Sequence, residues 1–324
     1  MELCRIVSIV CVMLIHSTFQ SLGHDVSFGI MLLAGFSIVG VNVFVMLAGY
    51  FTATPKKSSL INLTFICLFW MIAKIVCCYA FGQEIELKSL FFVTSSNWFI
   101  PSYIGLLFFA PILNLFCDSV KNKVLWGVVV VLLFIEVWFD WIPPYPAISL
   151  GTNGGHSVLS FIILYLFARA IRLYGLPAWF KRLAPFIYLI CSVLIALMGL
   201  MLLFHGYENK VGWVYYDNNP IVILSSVAFL ETFEQMKLNQ SKFINHIAKS
   251  TLACLLGHSA IFFLYKKQFL YLYTHFSGLQ MVGYWALSII ILFIGSVAID
   301  QLRLLAYKPL DSFLKRKIKH DVFF

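Results

Sequence analysis

At 324 residues, 61% apolar and only 11% charged, the chain lies far from a soluble domain, which averages roughly 45–50% apolar and about 25% charged. That composition excludes a water-soluble fold and predicts an all-α, polytopic membrane helical bundle. The formal net charge of +9 does not point to nucleic acid, because the basic residues fall in short segments between apolar runs, which is the positive-inside pattern.

The first run, MELCRIVSIVCVMLIHSTFQS (1–21), has no small-residue cleavage site and leads into more apolar sequence, so it reads as a retained first span. Arg5 and His16 stand eleven positions apart. At about 100° per residue that is three turns plus roughly 20°, so the two side chains share a face. They are separated by about 16 Å along the axis, roughly half a bilayer core. With Arg5 at one surface, His16 is held near mid-depth. An ionisable group there must face protein or a water-filled cavity and is a functional candidate. The plain alternative is a neutral imidazole bonded to a neighbouring helix. Arg5 reads either as an anchor snorkelling to the headgroups or as a cation that holds phosphate at a cavity mouth.

About ten runs are long enough to span: roughly 3–22, 29–51, 59–81, 97–117, 123–142, 156–173, 184–205, 218–236, 250–272 and 279–303. Of the 23 Lys and Arg, all but Lys88, Lys210, Lys266, Lys267 and the in-span Lys74 then fall on the side of the N-terminus. The bias predicts that both termini are cytoplasmic. The expected outer loops (82–96, 143–155, 206–217 and 273–278) are short. The organisation expected is a transmembrane domain over 1–303 and a basic tail over 304–324 at the inner leaflet.

Along the chain, the second run ends GVNVFVMLAGYFTATPKK (40–57). Asn42 is an amide able to bond across helices, Gly49 permits close packing, and Lys56 and Lys57 read as anchors or as part of an anion entrance. The fourth run, NWFIPSYIGLLFFAPILN (97–114), has Trp98 and Tyr103 at its outer end and Pro111 inside. Trp98 is either an interfacial belt residue or a sugar-stacking platform. Glu136 and Asp140 share a face, His156 is expected to be solvated at a loop edge, and Glu231 and Glu234 lie near an inner end. His258 falls near mid-depth in the ninth run, like His16, although no spacing shows that the two meet. The eight Cys lie almost entirely in apolar runs with no metal spacing and read as small helix residues, so no metal is expected. There is no phosphate-binding loop, nucleophile elbow, zincin pair or dinucleotide fingerprint.

Several of these segments together resemble the integral-membrane acyltransferase-3 family, which is O-acetyltransferase-like. Its hallmark is Arg or Lys, ten residues, then His in the first span, matched by Arg5 and His16. GVNVFVMLAGYF resembles its second-span signature and NWFIPSYIGLLFFAPILN its fourth-span motif. HSVLSFIILYLFARAIRLYG (156–175), NNPIVILSSVAFLE (218–231) and KSTLACLLGHSAIF (249–262) match more loosely, the last with His258 at the family's His. Ala48 stands where Ser is usual, Leu255–Leu256–Gly257 where Tyr-Leu-Ile is, and His156 where Tyr is common.

The resemblance implies about ten spans, acetyl-CoA as donor substrate with no bound cofactor, and a sugar hydroxyl of a surface polysaccharide or lipid-linked glycan as acceptor. It implies a catalytic His16, donor contacts from Arg5, with Lys56 and Lys57 as looser stand-ins, and a bacterial inner-membrane location. Asn42, Trp98, Tyr103 and His258 are expected to line the cavity or touch the acceptor. The rival is a polysaccharide or glycolipid flippase, whose path the same polar groups would line. A non-catalytic scaffold would leave the placement of His16 unexplained.

Overall fold

The computed structural model describes residues 1–23, 26–85, 98–142, 151–236 and 239–317, and the regular elements among them are all helical. The bodies of the expected outer loops at 86–96 and 143–150, the basic residue Lys237 and the tail end 318–324 lie outside the described residues.

Among the described residues, six helical segments are long and apolar enough to cross a membrane: Phe28–Tyr50, Lys57–Ala80, Phe99–Ser119, Asn122–Trp141, Ala178–Phe204 and Gly278–Leu314. The first is two helices, α3 (Phe28–Ser37) and α4 (Gly40–Tyr50). The others contain α5 (Lys57–Ala80), α6 (Phe99–Ser119), α7 (Asn122–Glu136, continued by a π turn over Val137–Trp141), α9 (Ala178–Phe204) and α15 (Gly278–Lys317). The remaining apolar runs form shorter helices. These are α1 (Glu2–Ser17), α8 (Val158–Tyr174), α11 (Pro220–Gln235) and the pair α13 (Thr251–Ala260) and α14 (Phe262–His275), divided at Ile261, with the short connecting helices α2 (Phe19–Leu22), α10 (Val211–Val214) and α12 (Lys242–Ala248). The 16 residues of α1 come to about 24 Å, less than the roughly 30 Å hydrocarbon core. Short helices of this kind bring backbone ends, with their unmet polar groups, into the bundle interior.

Small residues set the closest approaches. A Cβ on Gly40 would stand 2.6 Å from the Ser8 carbonyl oxygen, and one on Gly49 would run into the carbonyl of Tyr165. Glycine therefore lets α4 lie against α1 on one side and α8 on the other, as close packing between membrane helices requires. The main core gathers Cys4, Val43, Met46, Leu106, Phe161, Tyr165 and Ala228 around α4.

Arg303, counted from the sequence among the cytoplasmic basic residues, is instead wholly buried. Its Nε donates to Asp300 Oδ1 (2.5 Å) and its Nη1 to Asn62 Oδ1 (2.9 Å), which ties α15 to α5. The helix continues through position 303 to Lys317.

Candidate active site

The placement of His16 follows from how α1 ends. A helix leaves its last carbonyls without partners, and inside a membrane no water meets them. The sequence HSTFQS answers locally. Ser17 Oγ donates to Leu14 O (2.6 Å), Thr18 Oγ1 to Ile15 O (2.7 Å) and Ser21 Oγ to His16 O (2.9 Å). The Tyr265 hydroxyl of α14 donates to Met13 O, and Trp285 Nε1 donates to Ser17 Oγ (2.9 Å). The last turn, which carries His16, is thereby fixed to α14 and α15.

Across from it, His258 is fully buried in α13. His16 Nδ1 and His258 Nε2 are 2.7 Å apart, and His258 Nδ1 is 2.9 Å from the Cys254 carbonyl oxygen. Hydrogen-bond logic sets the tautomers. A carbonyl only accepts, so His258 Nδ1 carries the proton and, in the neutral ring, its Nε2 carries the lone pair. His16 Nδ1 must then donate, leaving His16 Nε2 as the free basic nitrogen. Two histidines that no sequence spacing could bring together are one hydrogen-bonded pair.

That free nitrogen belongs to a ring lining a small cavity of about 70 Å³. Val12, Val41, Trp98, Phe99, Ile100, Leu255, Leu256, His258 and Ser259 complete the wall. It is mostly apolar with few convergent polar groups, the usual make-up of a small-molecule site.

The other expected residues are distributed around this point. Trp98 lines the cavity and stacks on His156, with ring centroids 4.0 Å apart and planes at 22°. His156, expected to be solvated, pairs with buried Asp217 at 3.2 Å. Asn42, next to the lining residue Val41, is buried and donates to the Asp217 carbonyl at 2.8 Å. Tyr103 stacks on Phe99, centroids 5.7 Å apart, and stands within electrostatic reach of Arg5. Arg5 is partly exposed and pairs with Glu2 at 2.9 Å, one turn back on α1. Lys56 is exposed at the N-cap of α5 and Lys57 is that helix's first residue.

Sequence reading missed a polar layer on the Lys56 side of the bundle. Arg169 donates to Thr52 Oγ1 (2.6 Å) and Asp118 Oδ1 (2.5 Å). Arg172 donates to the Tyr50 hydroxyl (3.0 Å), which donates to Glu234 (2.5 Å). It also missed Asp217 and Asn218. The one available signal there was the Asn219–Pro220 pair, an N-cap followed by the first helical residue of α11.

The family model described as an acyltransferase domain, that of the acyltransferase-3 family, matches residues 1–301. No curated protein and no solved structure matches the chain.

Proposed function

The chain belongs to the acyltransferase-3 family and is a membrane acyltransferase, and we propose that it moves an acetyl group from acetyl-CoA to a sugar hydroxyl of a surface polysaccharide or lipid-linked glycan. In this reading it is a multi-pass protein of the bacterial inner membrane with about ten spans, the shorter helices among them crossing locally thinned or protein-filled regions. Both termini are cytoplasmic, and residues 304–324 lie at the inner leaflet.

Acetyl-CoA approaches from the cytoplasm with its phosphates near Arg5 and, further out, Lys56 and Lys57. The thioester reaches inward to His16. His16 Nε2 takes the proton of the acceptor hydroxyl as its oxygen attacks the thioester carbonyl carbon. The carbon–sulfur bond breaks, the thiolate takes the proton back from the imidazolium, and an O-acetyl ester and CoA leave. His258 receives the hydrogen bond from His16 Nδ1 throughout, which fixes the ring and steadies its charged form. Trp98, Tyr103 and Asn42 belong to the acceptor side.

The observation that carries this reading is the His16–His258 hydrogen bond, which leaves one basic nitrogen on a cavity-lining ring. The test is release of CoA from acetyl-CoA by the purified protein. His16→Ala is expected to abolish it while the chain still inserts into the membrane and elutes as a single species. Full activity of that variant would end the mechanism, and a flippase would release no CoA in either form.

A further inference from the structure

Most polar groups around the His16 cavity are already committed. His16 Nδ1 is bonded to His258 Nε2, and His258 Nδ1 to the Cys254 carbonyl. The aliphatic and Phe side chains of the wall carry no polar atom, which leaves Trp98 and Ser259.

Ser259 differs from the serines of the other helices. Inside a membrane helix a serine hydroxyl ordinarily donates to the carbonyl four residues earlier. Ser8, Ser192 and Ser226 do so, to Cys4 O (2.8 Å), Tyr188 O (2.9 Å) and Val222 O (2.8 Å). Ser259 follows His258 in α13, is partly buried and lines the cavity. Its hydroxyl has no hydrogen-bond partner among the described residues. A hydroxyl kept from bulk water without a partner is costly, so one that lines a cavity is completed by what the cavity holds. At about 70 Å³ the space admits water or a small acyl group.

The chemistry proposed for His16 has one unmet need at this point. Attack on the thioester carbonyl carbon moves an electron pair onto the carbonyl oxygen, and an apolar wall does nothing to stabilise that charge. A donor already in place is worth most in such a water-poor site. His16 cannot be that donor, since its Nε2 takes the acceptor's proton and its Nδ1 is held by His258. We propose that Ser259 is a further catalytic residue, whose hydroxyl donates to the thioester carbonyl oxygen as it becomes an oxyanion. The proposal rests on the acetyl-transfer reading above. Ser259 keeps its proton throughout. The pair on oxygen returns to carbon as the carbon–sulfur bond breaks, and the bonding pair leaves on sulfur. Two adjacent residues of α13 then have separate tasks, His258 orienting the base and Ser259 holding the carbonyl. Trp98, the other donor in the wall, is the N-cap of α6 and belongs to the acceptor side.

The test is the initial rate of CoA release from acetyl-CoA by the purified full chain, for the wild type, Ser259→Ala, Ser259→Thr and Trp98→Phe. Ser259→Ala removes a hydroxyl that holds nothing in the fold, so its melting temperature should match the wild type. Its kcat should fall about a hundredfold, as for the loss of one oxyanion donor, with the KM for acetyl-CoA moving less than about threefold. Ser259→Thr retains the hydroxyl and should recover most of the rate. Wild-type kcat in Ser259→Ala would overturn the assignment, as would a folded threonine variant no faster than the alanine one. A lowered melting temperature in Ser259→Ala would make the hydroxyl a structural one instead. Label from acetyl-CoA retained on Ser259 after denaturation would make it a nucleophile and likewise overturn the donor role. So would a hundredfold loss in Trp98→Phe beside an unimpaired Ser259→Ala, which would assign the donor to the indole N–H. A wild type that releases no CoA would sink the acetyl-transfer reading itself, whereas loss in His16→Ala with full activity in Ser259→Ala would remove this proposal alone.

Discussion

His258→Ala separates the roles of the paired histidines. Truncation removes the ring that accepts from His16 Nδ1 at 2.7 Å and frees His16 to place its proton on either nitrogen. A neutral hydrogen bond of this kind is worth about 1 kcal/mol, and roughly twice that once the His16 ring is charged. The transition state, where that charge develops, therefore loses about 1 kcal/mol more than the ground state, on the order of fivefold in kcat. The KM for acetyl-CoA should move less than about threefold, because the lost interaction is stronger in the transition state than in the ground state. His258 is fully buried, so the variant also leaves a cavity and its melting temperature must be measured alongside. His258→Gln keeps a side-chain acceptor and much of the volume and should recover most of the loss. The assay is the initial rate of CoA release by detergent-purified protein across acetyl-CoA concentrations. Wild-type kcat in His258→Ala, or a defect confined to KM, would refute the orienting role. So would a His258→Gln protein that is folded yet no more active than the alanine variant.

Three further outcomes follow from the packing. Gly49→Ala drives a methyl into the Tyr165 carbonyl and should cost about 1–3 kcal/mol, seen as a lower melting temperature; no change would mean that α4 and α8 are not in close contact. Arg303→Met strands buried Asp300 without its partner and should cost about 3–5 kcal/mol, whereas adding Asp300→Leu should restore most of it; a double variant as unstable as the single one would contradict the burial of this pair. Tyr265→Phe leaves the Met13 carbonyl without its side-chain donor and should cost about 1 kcal/mol while lowering CoA release several-fold through His16; equal activity would show that the last turn of α1 holds itself.

The helical architecture was legible because apolar runs in a membrane have few alternatives, and the eleven-residue spacing alone placed Arg5 and His16 on one face of α1. Where α1 stops was written in HSTFQS, but its hydroxyls could be recognised as caps only once the helix end was seen to lie inside the bundle. Contacts between distant segments were beyond reach. Nothing in the spacing joins His16 to His258, 242 positions on. A loop-edge His156 gives no sign that it will stack on Trp98, and a basic residue near the last apolar run looks like an anchor whether it snorkels or, like Arg303, turns inward to an acid one turn away. The long apolar runs also concealed their breaks: the second divides at 38–39 and the ninth at Ile261, because periodicity records an apolar face and not the continuity of the helix beneath it.

The early end of α1 has an electrostatic consequence. The peptide dipoles of a helix add to roughly half a negative charge at its C-terminal end, and His16 occupies the last turn of α1. A cation beside such an end gains about 0.3–1 kcal/mol at a surface and up to about 2 kcal/mol where partly shielded from water. In the proposed reaction the ring is positive only between taking a proton from the acceptor and returning it to the thiolate. The backbone of α1 thus favours the charged interval over the resting one, through a field that is already in place before either substrate arrives.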